Sequence, residues 1–226
     1  MSDPIGLMAF WADFEETAIT EIRRWHNCEH MLERVSIPGF QCGRRYRGSG
    51  DAATFLMYYE TDTAEVLGSA PYRAALDAPT DWTRQSLLHF RNPARNIYAL
   101  AASAGRAPAS PAPFLTTLRF NADLDDVPGL YGTQVLPRIV EQDDVLRARL
   151  WKIDEDISGI QTSERQIYGG GPGEQAFLLF IERTTENAPE TQDTLPGLSD
   201  TQRAAHRDLF PEAGWLDFAL EAPNGH

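Results

Sequence analysis

The sequence predicts an α+β fold in which one six-element unit, β-α-β-β-α-β, occurs twice. Two observations carry this: strand-like and helix-like stretches alternate in the same order on either side of residues 105–113, and that stretch, Gly105-Arg106-Ala107-Pro108-Ala109-Ser110-Pro111-Ala112-Pro113, has the composition of a linker. Gly6–Phe14 is aromatic and apolar without helical spacing, as a buried strand is. Glu15 and Glu16 suit the positive end of a helix running to about residue 36, which Pro38-Gly39 stops. Strands at 40–47 and 54–60 flank the turn Gly48-Ser49-Gly50-Asp51, and a shorter helix at 63–77 is interrupted or restarted at Pro71. One or two strands are expected over 84–103.

Beyond the linker, strands are expected at 114–120, 146–153, 176–182 and 215–220. Helices are expected at 130–143, broken or started at Pro137, and at 199–210; 157–173 and 185–198 read as long loops. The halves share little identity, so the repeat rests on element order. That order is the ferredoxin-like unit, a four-stranded antiparallel sheet with helices on one face. Two such sheets in one chain are expected to cover each other as an intrachain α/β barrel. The expected organisation is a first repeat at 1–104, a linker at 105–113 and a second repeat at 114–226.

Composition narrows the partners. Net charge is −13 over 226 residues, and only Lys152 is a lysine. Residues 1–108 carry 13 acids against 11 bases, whereas 109–226 carry 20 against 9. No basic face of the kind that binds nucleic acid or an anionic membrane is present. Without a secretion signal or a membrane-length apolar run, the expectation is a cytoplasmic protein, and Cys28 and Cys42 are expected as buried free thiols rather than a disulfide.

The candidate site lies in Trp25-His26-Asn27-Cys28-Glu29-His30-Met31-Leu32-Glu33-Arg34. At about 100° per residue, Ala18, Ile19, Ile22, Trp25 and Leu32 share one side with His26, Glu29 and Glu33. His30 falls at its edge, and Arg24, Asn27, Met31 and Arg34 point away. An inner face that carries imidazole and carboxylates calls for a cavity, because burying such groups unpartnered is costly. A carboxylate beside an imidazole fixes its tautomer and raises its basicity. His26, Glu29, His30 and Glu33 are therefore the catalytic candidates, and a buried structural network is the alternative. Arg45, Tyr46, Tyr59 and Trp25 are the candidate substrate-binding residues, with Arg45 facing opposite to Arg44 and Tyr46 along its strand. His26-x-x-Glu29-His30 also fits a short zinc-peptidase pattern. No metal is assigned to it, although two histidines and a glutamate at helical spacing supply two or three ligands at most. His89 is expected in a strand, His206 on a helix surface, and Gly169–Gly173 as a flexible hairpin connection.

Trp25-His26-Asn27, Glu29-His30, Glu33-Arg34, Pro38-Gly39-Phe40 and Arg44-Arg45-Tyr46 together resemble the EthD-like group of the dimeric α/β-barrel superfamily. So do Ala70-Pro71-Tyr72, Pro79-Thr80-Asp81-Trp82-Thr83-Arg84 and Phe90-Arg91-Asn92; the resemblance spans about residues 6–103. It implies the ferredoxin-like barrel. Because the second repeat offers no counterpart to His26 or His30, one site per chain is expected in or bordering the first repeat, and a homodimer is a possible assembly. The second repeat would stand where dimeric relatives place a separate subunit. It does not choose among the superfamily's isomerases, cofactor-free monooxygenases, haem enzymes and proteins without known activity. The expected function is an acid–base lyase or isomerase, without organic cofactor, acting on an oxygenated cyclic or aromatic metabolite. His26 or His30 would be the base and Arg45 would hold an oxyanion. The alternatives are a non-catalytic small-molecule binder, a cofactor-free monooxygenase, and a haem protein ligated by His30 or His26.

Overall fold

The computed structural model describes residues 6–50, 53–186 and 195–223. Its eight strands follow one hydrogen-bonded order, β1-β3-β2-β8-β5-β7-β6-β4, which closes into a barrel. The fold is thus α+β with two ferredoxin-like repeats in tandem. The chain forms two compact units, but these do not part at residues 105–113. The first comprises residues up to Ala99, Asp154–Gly173 and the stretch from Asp217; the second comprises Leu100–Ile153 and Glu174–Leu216.

In the first unit, strands β1 (Gly6–Phe14), β2 (Phe40–Gly48), β3 (Thr54–Thr61) and β4 (Phe90–Gly105) begin within a few residues of where apolar alternation puts them. β3 pairs antiparallel with both β1 and β2, and β1 with β4. Period-two alternation sends Met8, Phe10, Phe14, Phe55, Met57 and Tyr59 to one face, where they form the core with Ile22, Trp25, Met31 and Val35 of helix α1 (residues 16–35). Gly43 makes the close approach possible: a Cβ there would sit 2.8 Å from Met31 Cγ and 2.9 Å from Tyr59 Cε1. Tyr46 and Tyr58 stack on the opposite sheet face, with centroids 6.0 Å apart.

The restart expected at Pro71 is present: a short 3₁₀ turn (Ala64–Gly68) precedes α2 (Ala70–Asp77), and Pro71 sits in its first turn, where its missing N–H costs nothing. Other expectations over this unit need correction. Residues 81–87 are helix α3 (Asp81–Leu87) rather than strand, because Thr80 caps it by accepting from Thr83 N at 3.0 Å. His89 consequently lies in the turn before β4, with its Nδ1 2.6 Å from Glu15 Oε2. The 157–173 segment is not a loop. Helix α5 (Glu155–Ser158) is capped by Asp154, and α6 (Ser163–Tyr168) by Thr162. The glycines after α6 are pinned rather than free: Gly173 N donates to Asn96 Oδ1 at 2.7 Å, and Gly171 bridges Ala94. Both cysteines are free thiols, but only Cys42 is buried; Cys28 is exposed. Asp51 of the predicted hairpin turn lies outside the described residues.

In the second unit, β5 (Phe114–Ala122) pairs with β7 (Phe177–Arg183) and β8 (His206–Glu221), and β6 (Val145–Ile153) with β7. Its long helix α4 covers 127–139, started by Asp126, whose carboxylate accepts from Gly129 N at 2.9 Å. The last helix is only Asp200–Ala204, and β8 starts at His206 rather than Trp215. His206 is therefore buried, not a surface helix residue; its Nδ1 meets Gln202 O at 2.7 Å and its Nε2 meets Tyr131 Oη at 3.0 Å. Residues 187–194 of the expected 185–198 loop lie outside the described residues. Among the described residues, no helix is long and apolar enough to cross a membrane.

Candidate functional site

The helix that carries the motif is not a uniform α-helix. Ile19–Trp25 is α-helical, His26–His30 forms a π turn, and Met31–Val35 returns to α. The Met31 N–H reaches back five residues to His26 O. Such a turn holds one residue more than an α turn, so everything beyond it shifts by about one position around the axis. The burial pattern records the shift. Met31 and Arg34, expected to point outward, are 0% and 1% exposed, whereas Leu32, expected inward, is 49% exposed. The second repeat has a matching π turn at Tyr131–Val135, where Leu136 N reaches Tyr131 O just before Pro137. Each π turn ends ten residues before the next strand, from His30 to Phe40 and from Val135 to Val145. The halves thus correspond by more than element order.

The π turn aims His26 and His30 into a cavity inside the first unit, beneath α1 and against β1, β3 and β4. Aromatic and apolar side chains, among them Phe10, Trp25, Met57, Leu87 and Phe90, form most of its wall. The polar part is Arg34, Tyr59, Tyr72, Arg95, Glu164 and Tyr168 with the two imidazoles. The space between these side chains, mouth included, is about 430 Å³.

His26 is held on both nitrogens. Arg45 Nη1 lies 3.0 Å from Nδ1 and Tyr59 Oη lies 3.4 Å from Nε2. A guanidinium only donates, so Nδ1 accepts and the proton sits on Nε2, facing Tyr59. Arg45 is itself fixed by Asp217, whose Oδ2 accepts from Nε at 2.6 Å and whose other oxygen pairs with Arg23. Burial, then the charges of Arg45 and Arg34, hold His26 well below the ordinary histidine range. His30 is shifted the same way by burial, Arg34 and His26, in that order. Both imidazoles are neutral at pH 7. His30 differs in one respect: its Nδ1 is buried and has no hydrogen-bond partner. Its ring packs on Trp25 with centroids 4.4 Å apart.

The cations are disposed unequally. Arg34 pairs with buried Glu164 of α6 and lies 3.5 Å from Glu33. Burial raises the Glu164 carboxyl above the usual carboxylate range, against the pull of Arg34. Arg95 is buried, and its side-chain hydrogen bond goes to Tyr72 Oη at 3.1 Å. Among the described residues no carboxylate lies within ion-pair distance of it.

Of the predicted residues, His26, His30, Tyr59 and Trp25 line the cavity. Glu29 does not meet either imidazole: its Oε1 accepts from Thr80 Oγ1 at 2.6 Å and Thr83 Oγ1 at 3.2 Å, and Thr83 Oγ1 in turn accepts from Trp25 Nε1 at 3.1 Å. Glu29 thereby ties α1 to α3. Glu33 lies beside Arg34 at the protein surface, Arg45 stands behind His26, and Tyr46 lies on the other sheet face. Arg34, Tyr72, Arg95, Glu164 and Tyr168 were not anticipated. The last two come from the segment read as a loop, so no local pattern pointed to them. The His26-x-x-Glu29-His30 spacing does not assemble a zinc site here, since Arg45 occupies His26 Nδ1 and Glu29 turns away. Among the described residues, no three His, Cys, Asp or Glu side chains gather as metal ligands.

No protein-family model matches the chain, and no curated protein matches it. Solved structures match over nearly its whole length. An anthrone oxidase-like protein aligns with TM-score 0.56 and 8% identity, covering 98% of this chain and 95% of its own. A provisionally named monooxygenase from Fusobacterium nucleatum aligns at 0.56 and 7% identity, covering 98% and 96%. Another from Lactobacillus acidophilus aligns at 0.58 and 6% identity, covering 96% and 97%. At such identities the likeness defines the fold. The chain has the ferredoxin-like fold of the dimeric α/β-barrel proteins, with both repeats in one polypeptide.

Proposed function

We propose that the cavity of the first unit oxidises a small hydroxylated aromatic compound with molecular oxygen, without an organic cofactor, and that His30 is the general base. The carrying observation is the buried, unpartnered Nδ1 of a neutral imidazole on the wall of an aromatic slot. A base must be unprotonated and within reach of the proton it removes, and a ring nitrogen already bonded within the protein is not free to act. This favours His30 over His26. His26 Nε2–H faces Tyr59, so this pair is suited to donating a hydrogen bond toward a bound ligand rather than to taking a proton.

Proton removal from an activated ring carbon makes the substrate itself electron-rich enough to reduce oxygen. For an anthrone-type CH₂ group the balance is CH₂ + O₂ → C=O + H₂O, with O₂ as the oxidant and all four electrons coming from the substrate. The names of the similar structures, anthrone oxidase-like protein and monooxygenase, support this reading over the lyase or isomerase first expected from the sequence. A homodimer is compatible with it, since the matched proteins have the dimeric barrel fold.

Oxygen uptake tests the proposal with a soluble anthrone as probe. The expected result is one O₂ consumed per anthrone, well above the spontaneous rate in buffer. Uptake no faster than buffer would contradict the oxidation. Conversion that proceeds equally without oxygen would restore the lyase or isomerase reading.

A further inference from the structure

We infer that Arg95 is an anion-recognition residue and that the cavity takes its aromatic ligand with one negatively charged oxygen group, carboxylate or ionised phenol, placed against this guanidinium. The inference rests on the cavity being a ligand site, as proposed above, but not on the reaction performed there. Its observation is a charge imbalance. The cavity wall holds two guanidiniums, Arg34 and Arg95, and one carboxylate, Glu164. Among the described residues Glu164 pairs with Arg34 and acts on Arg95 only from a longer distance, and both imidazoles are neutral, so Arg95 has no carboxylate in direct contact.

A guanidinium carries five N–H donors in a planar fork. Arg95 spends its described side-chain hydrogen bond on Tyr72 Oη, with the Tyr72 ring 6.0 Å from its carbon centre. The neighbouring Tyr168 hydroxyl does not offset its charge, because burial raises it and holds it in its neutral form. Burying a cation without an anion is among the costliest arrangements in a protein, and truncating or leaving unpaired one member of a buried pair typically costs several kcal/mol. A ligand anion on the open side of Arg95 removes that cost and gains a charge-assisted hydrogen bond. Trp25, Phe10 and Phe90 on the same wall would receive the ring. The position of Arg95 is held from the backbone: its N–H reaches Gly171 O at 3.5 Å, and the next residue, Asn96, accepts from Gly173 N.

The test compares ligands that differ in charge at equal size. Benzoate and benzyl alcohol are titrated into the full-length protein by calorimetry, and 4-nitrophenol by absorbance, which separates phenol from phenolate. We expect benzoate to bind at least tenfold tighter than benzyl alcohol. Bound nitrophenol should ionise at lower pH than free nitrophenol. Arg95→Gln should erase both preferences; Arg95→Lys, which keeps the charge, should retain part of each. Absence of both a benzoate preference and a nitrophenol shift overturns the inference, as does a preference that survives in Arg95→Gln, or no binding of any probe. A benzoate effect without a nitrophenol shift assigns the carboxylate, and the reverse assigns the phenolate. Should anthrone oxidation fail while these preferences hold, the reaction is wrong and the anion site stands.

Discussion

His30→Gln is expected to lower turnover by about 10²–10⁴-fold, the usual contribution of a positioned general base. The amide keeps the size and polarity of the ring but cannot accept the proton. The wild-type pH profile supplies the sign. A base works unprotonated, and burial, Arg34 and His26 push the His30 pKa down from about 6.5. Activity should therefore be flat across neutrality and fall only as pH drops through the lowered value. An ordinary histidine would put that limb near neutrality. In His30→Gln the acid limb should vanish with the activity, while His26→Gln, which removes a ligand-facing donor, should keep it. Steady-state kinetics from acid to neutral pH read both. A glutamine variant with wild-type turnover and the same limb would remove His30 from the chemistry.

The largest stability effect is expected at Arg34. Its guanidinium and Glu164 pair inside the first unit, both nearly inaccessible to water. Arg34→Met leaves the carboxylate buried without a cation, an arrangement that costs about 3–5 kcal/mol. Glu33, at 3.5 Å and partly exposed, loses only a weak surface interaction. Glu164→Gln should also destabilise, by stranding the cation. The double variant Arg34→Met/Glu164→Leu should recover much of the loss, since two apolar groups fill the space without a buried charge. Urea unfolding of the four proteins measures the cycle. Additive single-variant losses would mean that the two side chains do not act as a pair.

The same pair shows where sequence reasoning reached its limit. The strands of the first repeat and the long helix were legible because apolar alternation and Pro38-Gly39 are local signals. The motif helix was located, and His26, His30, Trp25 and Tyr59 were picked out from it and its neighbouring strand. Its inner face was misassigned beyond residue 30 for one reason. A π turn inserts a residue into the wheel, and no amino-acid pattern announces it, since the first repeat has no proline there. That single phase shift exchanged Leu32 for Met31, brought Arg34 inside and turned Glu33 to the surface. In the second repeat Pro137 did mark the irregularity, read there as a helix break or start. Glu164 and Tyr168 escaped notice because they approach from 130 or more residues away, in short helices whose capping residues, Asp154 and Thr162, sit in a Gly-rich stretch. Arg95 was passed over because a lone arginine in a strand carries no pattern; only the absence of a carboxylate beside it gives it meaning.

The most direct test of the account is the protonation state of the two imidazoles, read by ¹⁵N NMR of histidine-labelled protein titrated from neutral to acid pH. The account requires both rings to be neutral at pH 7, His26 to carry its proton on Nε2, and His30 to begin titrating only below the ordinary value of 6.5. Addition of benzoate should then move the His30 signals more than those of buried His206. A His30 ring already protonated at pH 7, or signals blind to the ligand, would contradict a free base facing the slot.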